Sequence, residues 1–418
     1  MLSAADNERI TRTGPGTPMG QALRRYWIPA LLSSEVPVND CDPVRVSLLG
    51  ERLVAFRDTR GRVGLIAENC PHRGASLFFG RNAEGGLRCV YHGWKFAIEG
   101  SCLDTPNQVA ATEQVNAVAY PCVEMAGVVW AWMGPPEGRP PLQTQEWMRV
   151  ADENRDVCRH LGDCNWLQLL EGGIDTSHSS FLHRTFNRDS QATTLTFRAR
   201  ATAPRLEVVR TEYGYSYAGI RHLPEQNQNY VRVYQFVMPF HQMRAFEGYL
   251  GHRLVSGHIW VPVDDEHTWV WSWSFTTDGE RLPSEVAEVE RRQAGRTSDD
   301  VVPGTVRFKR NRANDYLIDR RRQKSVNYTG VETIAAQDQA IQESMGPIAS
   351  RSTEHLGTSD LAIIAARRLL LEACDDVAHG KPPLGSEVER VGARPAEMLL
   401  PADQSWLETM REQLVAPI

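Results

Sequence analysis

Residues 70–74 read Cys-Pro-His-Arg-Gly and residues 89–94 read Cys-Val-Tyr-His-Gly-Trp, with sixteen residues between His72 and Cys89. Each loop offers one thiolate and one imidazole. Two irons can therefore be held unequally, one by Cys70 and Cys89 and the other by His72 and His92. Exchanging two anionic thiolates for neutral imidazoles removes negative charge from such a centre and raises its reduction potential, which suits an electron relay. Gly74 and Gly93, one after each ligand pair, permit the tight turns that aim backbone N–H groups at the sulfurs.

This is the ligand set of a Rieske [2Fe–2S] cluster. A single tetrahedral zinc also takes four N/S ligands, but zinc sites usually group Cys with Cys and His with His, whereas each loop here is mixed. Respiratory Rieske proteins carry an extra cysteine in each loop. This chain has Ala75 and Tyr91 there, so the site resembles the soluble ferredoxin and oxygenase kind.

The chain has 418 residues, enough for two or three domains, and a net charge of -6. That mild acidity argues against a general nucleic-acid binder. No apolar run approaches the roughly twenty residues of a membrane helix, and the opening MLSAADNERI lacks the layout of a signal peptide. The expectation is a cytoplasmic enzyme with no membrane partner. Of the eight cysteines, the six outside the loops (Cys41, Cys102, Cys122, Cys158, Cys164 and Cys374) show no framework spacing and read as free, buried thiols.

The expected fold class is α+β. Residues 1–40 read as an N-terminal arm packing on the catalytic domain; their TRTGPGTPMG lacks the Lys-Ser/Thr ending of a phosphate loop and reads as turns. Residues 41–140 read as an all-β Rieske domain of short alternating strands, including VRVSLLG and RLVAFRD, with a turn at Thr59 to Gly61 and a close at GVVWAWMG. Pro-rich PPEGRPP marks the boundary. Residues 141–418 read as a catalytic domain: a helix over NWLQLLEGGIDTSHSSFLH interrupted by Gly172 and Gly173, then long strands from TLTFRARAT to WVWSWSF forming a large antiparallel sheet, then covering helices. In TSDLAIIAARRLLLEAC, Thr358 or Ser359 is the expected cap. RFKRNRANDYLIDRRRQK, interleaved with Asp315 and Asp319, reads as a solvated or subunit-facing helix.

Within Asp175-x-x-His178-x4-His183, two imidazoles and a carboxylate are the donor set of a facial Fe(II) triad with positions open for O2. A strict α-helix turns by about 140° over five residues, so both rings meet one atom only if the helix bulges or ends. The residues alone do not choose a carboxylate among Glu332, Asp338, Glu343 and Asp360.

CPHRG with CVYHGWKF, EGGIDTSHSSFLH and QDQAIQESMG together resemble the oxygenase component of Rieske non-haem iron aromatic-ring-hydroxylating enzymes, in the phthalate-dioxygenase-like branch. The resemblance implies His178, His183 and Asp338 as iron ligands, and leaves open the role of Glu171, where several members have Asn. It implies a Rieske cluster, a mononuclear Fe(II), O2 as co-substrate, and NADH used indirectly through a separate flavin/iron-sulfur reductase. It implies cis-dihydroxylation of an aromatic carboxylate of the phthalate or benzoate type. A monooxygenase or O-demethylase on the same scaffold, and a Rieske electron-transfer protein, are the rival readings. Among the arginines of the expected strands, Arg244 sits in the apolar MPFHQMRAF and is the first choice to pair that carboxylate, with Ser179 and Ser180 adding hydroxyls. The resemblance also makes Asp175 the catalytic bridge that joins His178 to His92 of the partner subunit, which requires a homo-oligomer, a trimer or stacked trimers.

Overall fold

The computed structural model describes residues 2–106, 115–186, 197, 202–249, 251–277, 279 and 281–417. The chain forms two compact units, Thr13–Leu142 and Met1–Arg12 with Gln143–Ile418. No described helix is long and apolar enough to cross a membrane.

In the first unit a helix starts at Pro18, where Thr17 Oγ1 accepts from the Gly20 N–H. The unit then runs through β1 (Trp27–Leu32), β2 (Val44–Leu48), β3 (Glu51–Arg57), β4 (Val63–Ala67), β5 (Arg81–Ala83), β6 (Gly86–Arg88), β7 (Lys95–Phe96), β8 (Cys102–Asp104), β9 (Ala119–Tyr120), β10 (Cys122–Met125) and β11 (Val128–Trp132). Three antiparallel sheets result, ordered β1-β11-β10, β2-β3-β4-β9 and β5-β6-β7-β8. Val54, Phe56 and Ile66 pack with Leu87 and Phe96, while Leu53 and Ala55 on the other face of β3 are also buried. The expected arm divides differently. Only Met1–Arg12 belongs to the catalytic unit, because the apolar run of β1 finds its hydrogen-bonding edge on β11.

The second unit is built on one antiparallel sheet of β12 (Arg155–Gly162), β13 (Arg205–Arg210), β14 (Gly214–Leu223), β15 (Gln228–Val237), β16 (His241–Tyr249), β17 (His252–Pro262), β18 (Thr268–Thr276) and β19 (Ala396–Pro401). Its order is β12-β18-β17-β16-β15-β14-β13, and β19 adds to β15 beyond the short β15–β16 pairing. The expected strand over residues 194–202 lies outside the described residues except for Phe197 and Thr202.

A helix at Trp166–Ile174 crosses this sheet. The two glycines do not interrupt it. They let it approach closely, since a Cβ on Gly173 would lie 2.1 Å from the Trp260 ring and one on Gly172 1.9 Å from Gln342 Nε2. Two other expectations are corrected. Thr358 and Ser359 lie in a 3-10 turn, and Asp360 takes the cap position of helix Leu361–Ala378. The basic stretch at 307–324 forms turns and one short helix rather than a single helix, and its arginines pair with acids outside it: Arg307 with Asp163, Arg310 with Asp300, and Arg310 and Arg322 with the shared Glu332.

Glu171 points away from the ligand residues. Its carboxylate accepts from Arg351 at 2.9–3.0 Å and from Arg367 at 2.6 Å, while Arg351 also donates to Asn7 and Arg367 to Glu354. Arg351 is fully buried and Arg367 is 5% exposed at the side chain. Removing the central charge leaves buried Arg351 with no carboxylate among the described residues and Arg367 with Glu354 alone. Glu171→Gln is therefore expected to destabilise the protein by about 3–5 kcal/mol, read as a lower denaturant midpoint. An unchanged midpoint would show that this network does not hold the helices together.

Candidate metal centres and active-site cavity

The two cysteine–histidine loops have the same backbone bonding. Cys70 N–H donates to Ala75 O at 2.8 Å and Gly74 N–H to Cys70 O at 2.8 Å; Cys89 N–H donates to Trp94 O at 2.8 Å and Gly93 N–H to Cys89 O at 3.0 Å. Gly74 and Gly93 adopt φ of 73° and 79°, the left-handed region that the turns require. Cys70 and Cys89 are buried and unoxidised, whereas His72 and His92 are half-buried, with ring centroids 4.6 Å apart. Trp94 stacks on His72 at 4.6 Å. Burial and the neighbouring Cys89 thiol push Cys70 up to about 11. Two buried thiols facing each other, with two imidazoles beside them, fit a [2Fe–2S] centre held by sulfur on its inner iron and nitrogen on its outer one.

The second centre begins where the helix at Trp166–Ile174 stops. Asp175 Oδ1 accepts from the Ser177 N–H at 2.7 Å and Oδ2 from the His178 N–H at 3.3 Å. This side-chain turn competes with the helix and ends it. His178–Ser180 then forms a 3-10 turn, and the two imidazoles converge as a continuous helix would not allow. His178 Nε2 and His183 Nε2 lie 3.2 Å apart, with Asp338 Oδ1 3.6 Å and 3.3 Å from them. Among the described residues this is the one trio of His, Cys, Asp or Glu whose ligand atoms all lie within 4.8 Å of one another. His178, His183 and Asp338 would hold a metal ion through two imidazole nitrogens and one carboxylate oxygen, a donor set that would supply a site for O2 chemistry. The donor set and spacing fit a mononuclear iron.

The surrounding bonds orient both rings. His183 Nδ1–H donates to Gln337 Oε1 at 2.8 Å, which leaves Nε2 as the free lone pair. His178 Nδ1 lies 3.6 Å from Asp175 Oδ2. Burial opposes ionisation of Asp175 and Asp338, yet His178 holds the first below the usual carboxylate range and His183, with His178, the second. Gln337 had no signal in the sequence beyond its place beside Asp338. The other acids are engaged elsewhere: Glu343 with Tyr316 and Gln339, Glu332 with Arg310, and Asp360 with the Gly357 N–H.

The triad opens on a cavity of about 220 Å³ between the sheet and the helices. Arg244 lines it, and among the described residues no acid or carbonyl pairs its guanidinium; its one ring neighbour is Phe246, 5.8 Å away. Burial, then the like charge of Arg232, destabilises this cation. The other strand arginines are committed: Arg205 to Glu207, Arg210 to Glu372, Arg221 to Thr176 O, Arg232 to Glu397 and Arg253 to Glu247. Ser179 lines the cavity with its proton given to Thr176 O at 3.1 Å. Ser180 is buried and lies outside the lining.

The chain is similar to known proteins along nearly its whole length. Residues 26–121 match the Rieske [2Fe-2S] domain family and residues 131–412 the family described as LigXa C-terminal domain like. The chain is 38% identical to the 3-chlorobenzoate-3,4-dioxygenase oxygenase subunit of Comamonas testosteroni, covering 99% of each chain. It is 37% identical to the phthalate 4,5-dioxygenase oxygenase subunit of Pseudomonas putida, covering 94% of this chain and 91% of that one. Its fold matches the solved structure of NdmA with caffeine from Pseudomonas putida CBB5, with a TM-score of 0.62 at 18% identity over 93% of this chain and all of that one. An N-terminal cluster domain, a catalytic domain built on a large antiparallel sheet, and end-to-end similarity to two oxygenase subunits make one assignment: the chain belongs to the Rieske non-haem iron oxygenases, as the oxygenase subunit that carries the [2Fe–2S] cluster and the mononuclear iron and takes its electrons from a reductase.

Proposed function

We propose that this oxygenase hydroxylates an aromatic carboxylate, by cis-dihydroxylation, with electrons that originate in NADH and arrive through a separate reductase. The observation that carries the substrate class is Arg244, a half-buried guanidinium that makes no ion pair with the described residues and lines the cavity that holds the triad. Such a cation is costly unless a ligand anion completes it, and planar bidentate pairing with a carboxylate is what guanidinium does best. The similarity to a 3-chlorobenzoate and a phthalate dioxygenase supports the same class.

In this reading Cys70, His72, Cys89 and His92 hold the cluster and His178, His183 and Asp338 the iron. When bound, the two centres supply single electrons and a site for O2 activation. The chain's own residues do the rest. Arg244 fixes the carboxylate end, and Ser179 adds a contact once its hydroxyl turns from Thr176. The ring then lies against Gly172, Gly173, Trp260 and Val270, an apolar wall that keeps water from the reacting edge. Gln337 fixes the His183 tautomer. Asp175 accepts from the His178 turn on one side and, across an interface of a trimer or stacked trimers, from His92 of the partner subunit.

His183→Ala or Asp338→Ala is expected to reduce iron to the two atoms of the cluster and abolish turnover while the Rieske paramagnetic signal persists, because two ligands hold Fe(II) poorly. Full iron content and activity in Asp338→Ala would place the third ligand elsewhere. Arg244→Ala should weaken a benzoate-type acid by about 2–5 kcal/mol in calorimetry, with uncharged analogues little changed; equal losses for both would make Arg244 structural. Asp175→Asn should keep iron, cluster and acid binding but slow Rieske oxidation in single-turnover experiments. A wild-type transfer rate in that variant would remove Asp175 from the electron route.

A further inference from the structure

Side chains alternate across a strand, so every second residue of β16, β17 and β18 faces the cavity. Along an aromatic-binding wall these positions would be expected to be apolar. Phe246, Trp260 and Val270 keep that character, but the positions between them read Gln242 and Arg244, Ser256 and His258, Ser272 and Ser274. The register sets them in two cross-strand rows. Arg244 lies opposite Ser256, which lies opposite Ser274; Gln242 lies opposite His258, which lies opposite Ser272. Directly opposed residues are neighbours, and the diagonal pair Arg244 and His258 is about 7–8 Å apart.

Three groups in this patch have unmet bonds besides Arg244. Among the described residues Ser256 Oγ is buried without a partner, and so is Gln242 Oε1, whose amide nitrogen donates to the Tyr217 hydroxyl. His258 is bonded at one nitrogen only: its Nδ1 lies 3.0 Å from Ser272 Oγ and 3.3 Å from Trp271 O. Its Nε2 makes no hydrogen bond to the described residues. Burial, then the charge of Arg244, keeps this imidazole neutral. Behind it, Arg296 donates to Ser272 Oγ at 3.3 Å and holds the hydroxyl in place. Each unmet buried polar group carries a desolvation cost, and a cluster of them at one end of a cavity calls for a polar ligand group.

We infer that His258, with Ser256 and Gln242 beside it, forms a second polar subsite that selects aromatic acids bearing a ring hydroxyl in addition to the carboxylate held by Arg244. The inference rests on the carboxylate reading of Arg244 and adds a specificity-determining contact to it. A hydroxyl both donates and accepts, so it satisfies Nε2 whichever ring nitrogen carries the proton, and it can also reach the Gln242 oxygen. A chlorine or hydrogen at that ring position satisfies neither.

The test is calorimetric binding, without O2, of benzoate, 3-chlorobenzoate and 2-, 3- and 4-hydroxybenzoate to the iron-loaded protein. At least one hydroxybenzoate isomer should bind about tenfold more tightly than both benzoate and 3-chlorobenzoate, the worth of one good hydrogen bond. His258→Leu and the milder Ser256→Ala should erase or reduce that preference while leaving benzoate within about twofold, and Arg244→Ala should weaken all the acids together. The unsubstituted protein alone decides the matter if a variant does not fold. Absence of a preference for any hydroxy isomer, or equal weakening of benzoate by His258→Leu, would overturn the subsite and leave the carboxylate reading standing. If none of the acids binds, both readings fall.

Discussion

Three atoms able to hold a metal, from His178, His183 and Asp338, meet within 3.6 Å of one another, and they come from two segments far apart in the chain. That convergence shapes the catalytic unit. His178 and His183 converge only because the helix ends at Ile174, and it ends there because the Asp175 carboxylate captures the next N–H groups. The same carboxylate also lies beside His178 Nδ1. Asp338 comes from helix Ile334–Ser344, whose preceding residue Gln337 orients His183. One short turn and one helix position thus set the ligand geometry, and the buried Glu171–Arg351–Arg367 cluster anchors the helix that leads into the turn.

The cluster site solves a different problem with repetition. Two loops with the same backbone bonds present one thiol and one imidazole each, with sulfur inside and nitrogen toward solvent. Burial protects the sulfur side from water. Exposure of the imidazole side leaves an edge for electron exchange, which in a relay is the side that must meet a partner.

In the cavity, charge is distributed unevenly. Most strand arginines are paired with acids or carbonyls, so their charges are spent on the fold. Arg244 is not, and the polar rows beside it have further unmet bonds. Trp260 and Val270 continue the same sheet face as an apolar stretch, and Gly173 lets the helix close on the Trp260 ring. The site therefore has an orientation before any substrate enters: a polar end on the sheet, a flat middle, and the triad.

Short-range chemistry was legible in the sequence. The mixed Cys–His loops announced the cluster because ligand type and spacing are local, and their glycines announced turns that the structure places at positive φ. Alternating strands and the α+β order were also local properties. The choice of Asp338 over Glu343 came from family resemblance, since only packing shows that Glu343 is taken by Tyr316 and Gln339. That the helix over residues 165–183 must bulge or end before both histidines converge was legible; where it ends was not, because apolar periodicity does not reveal an aspartate that bonds forward and stops it. Glu171 was undecided, as its two arginine partners lie some 180 residues or more downstream. Sequence alone determined which chemical groups exist and how neighbours bend. Tertiary structure decided which arginine stays unpaired and which polar rows share a cavity, because burial and pairing depend on what distant segments bring to the same place.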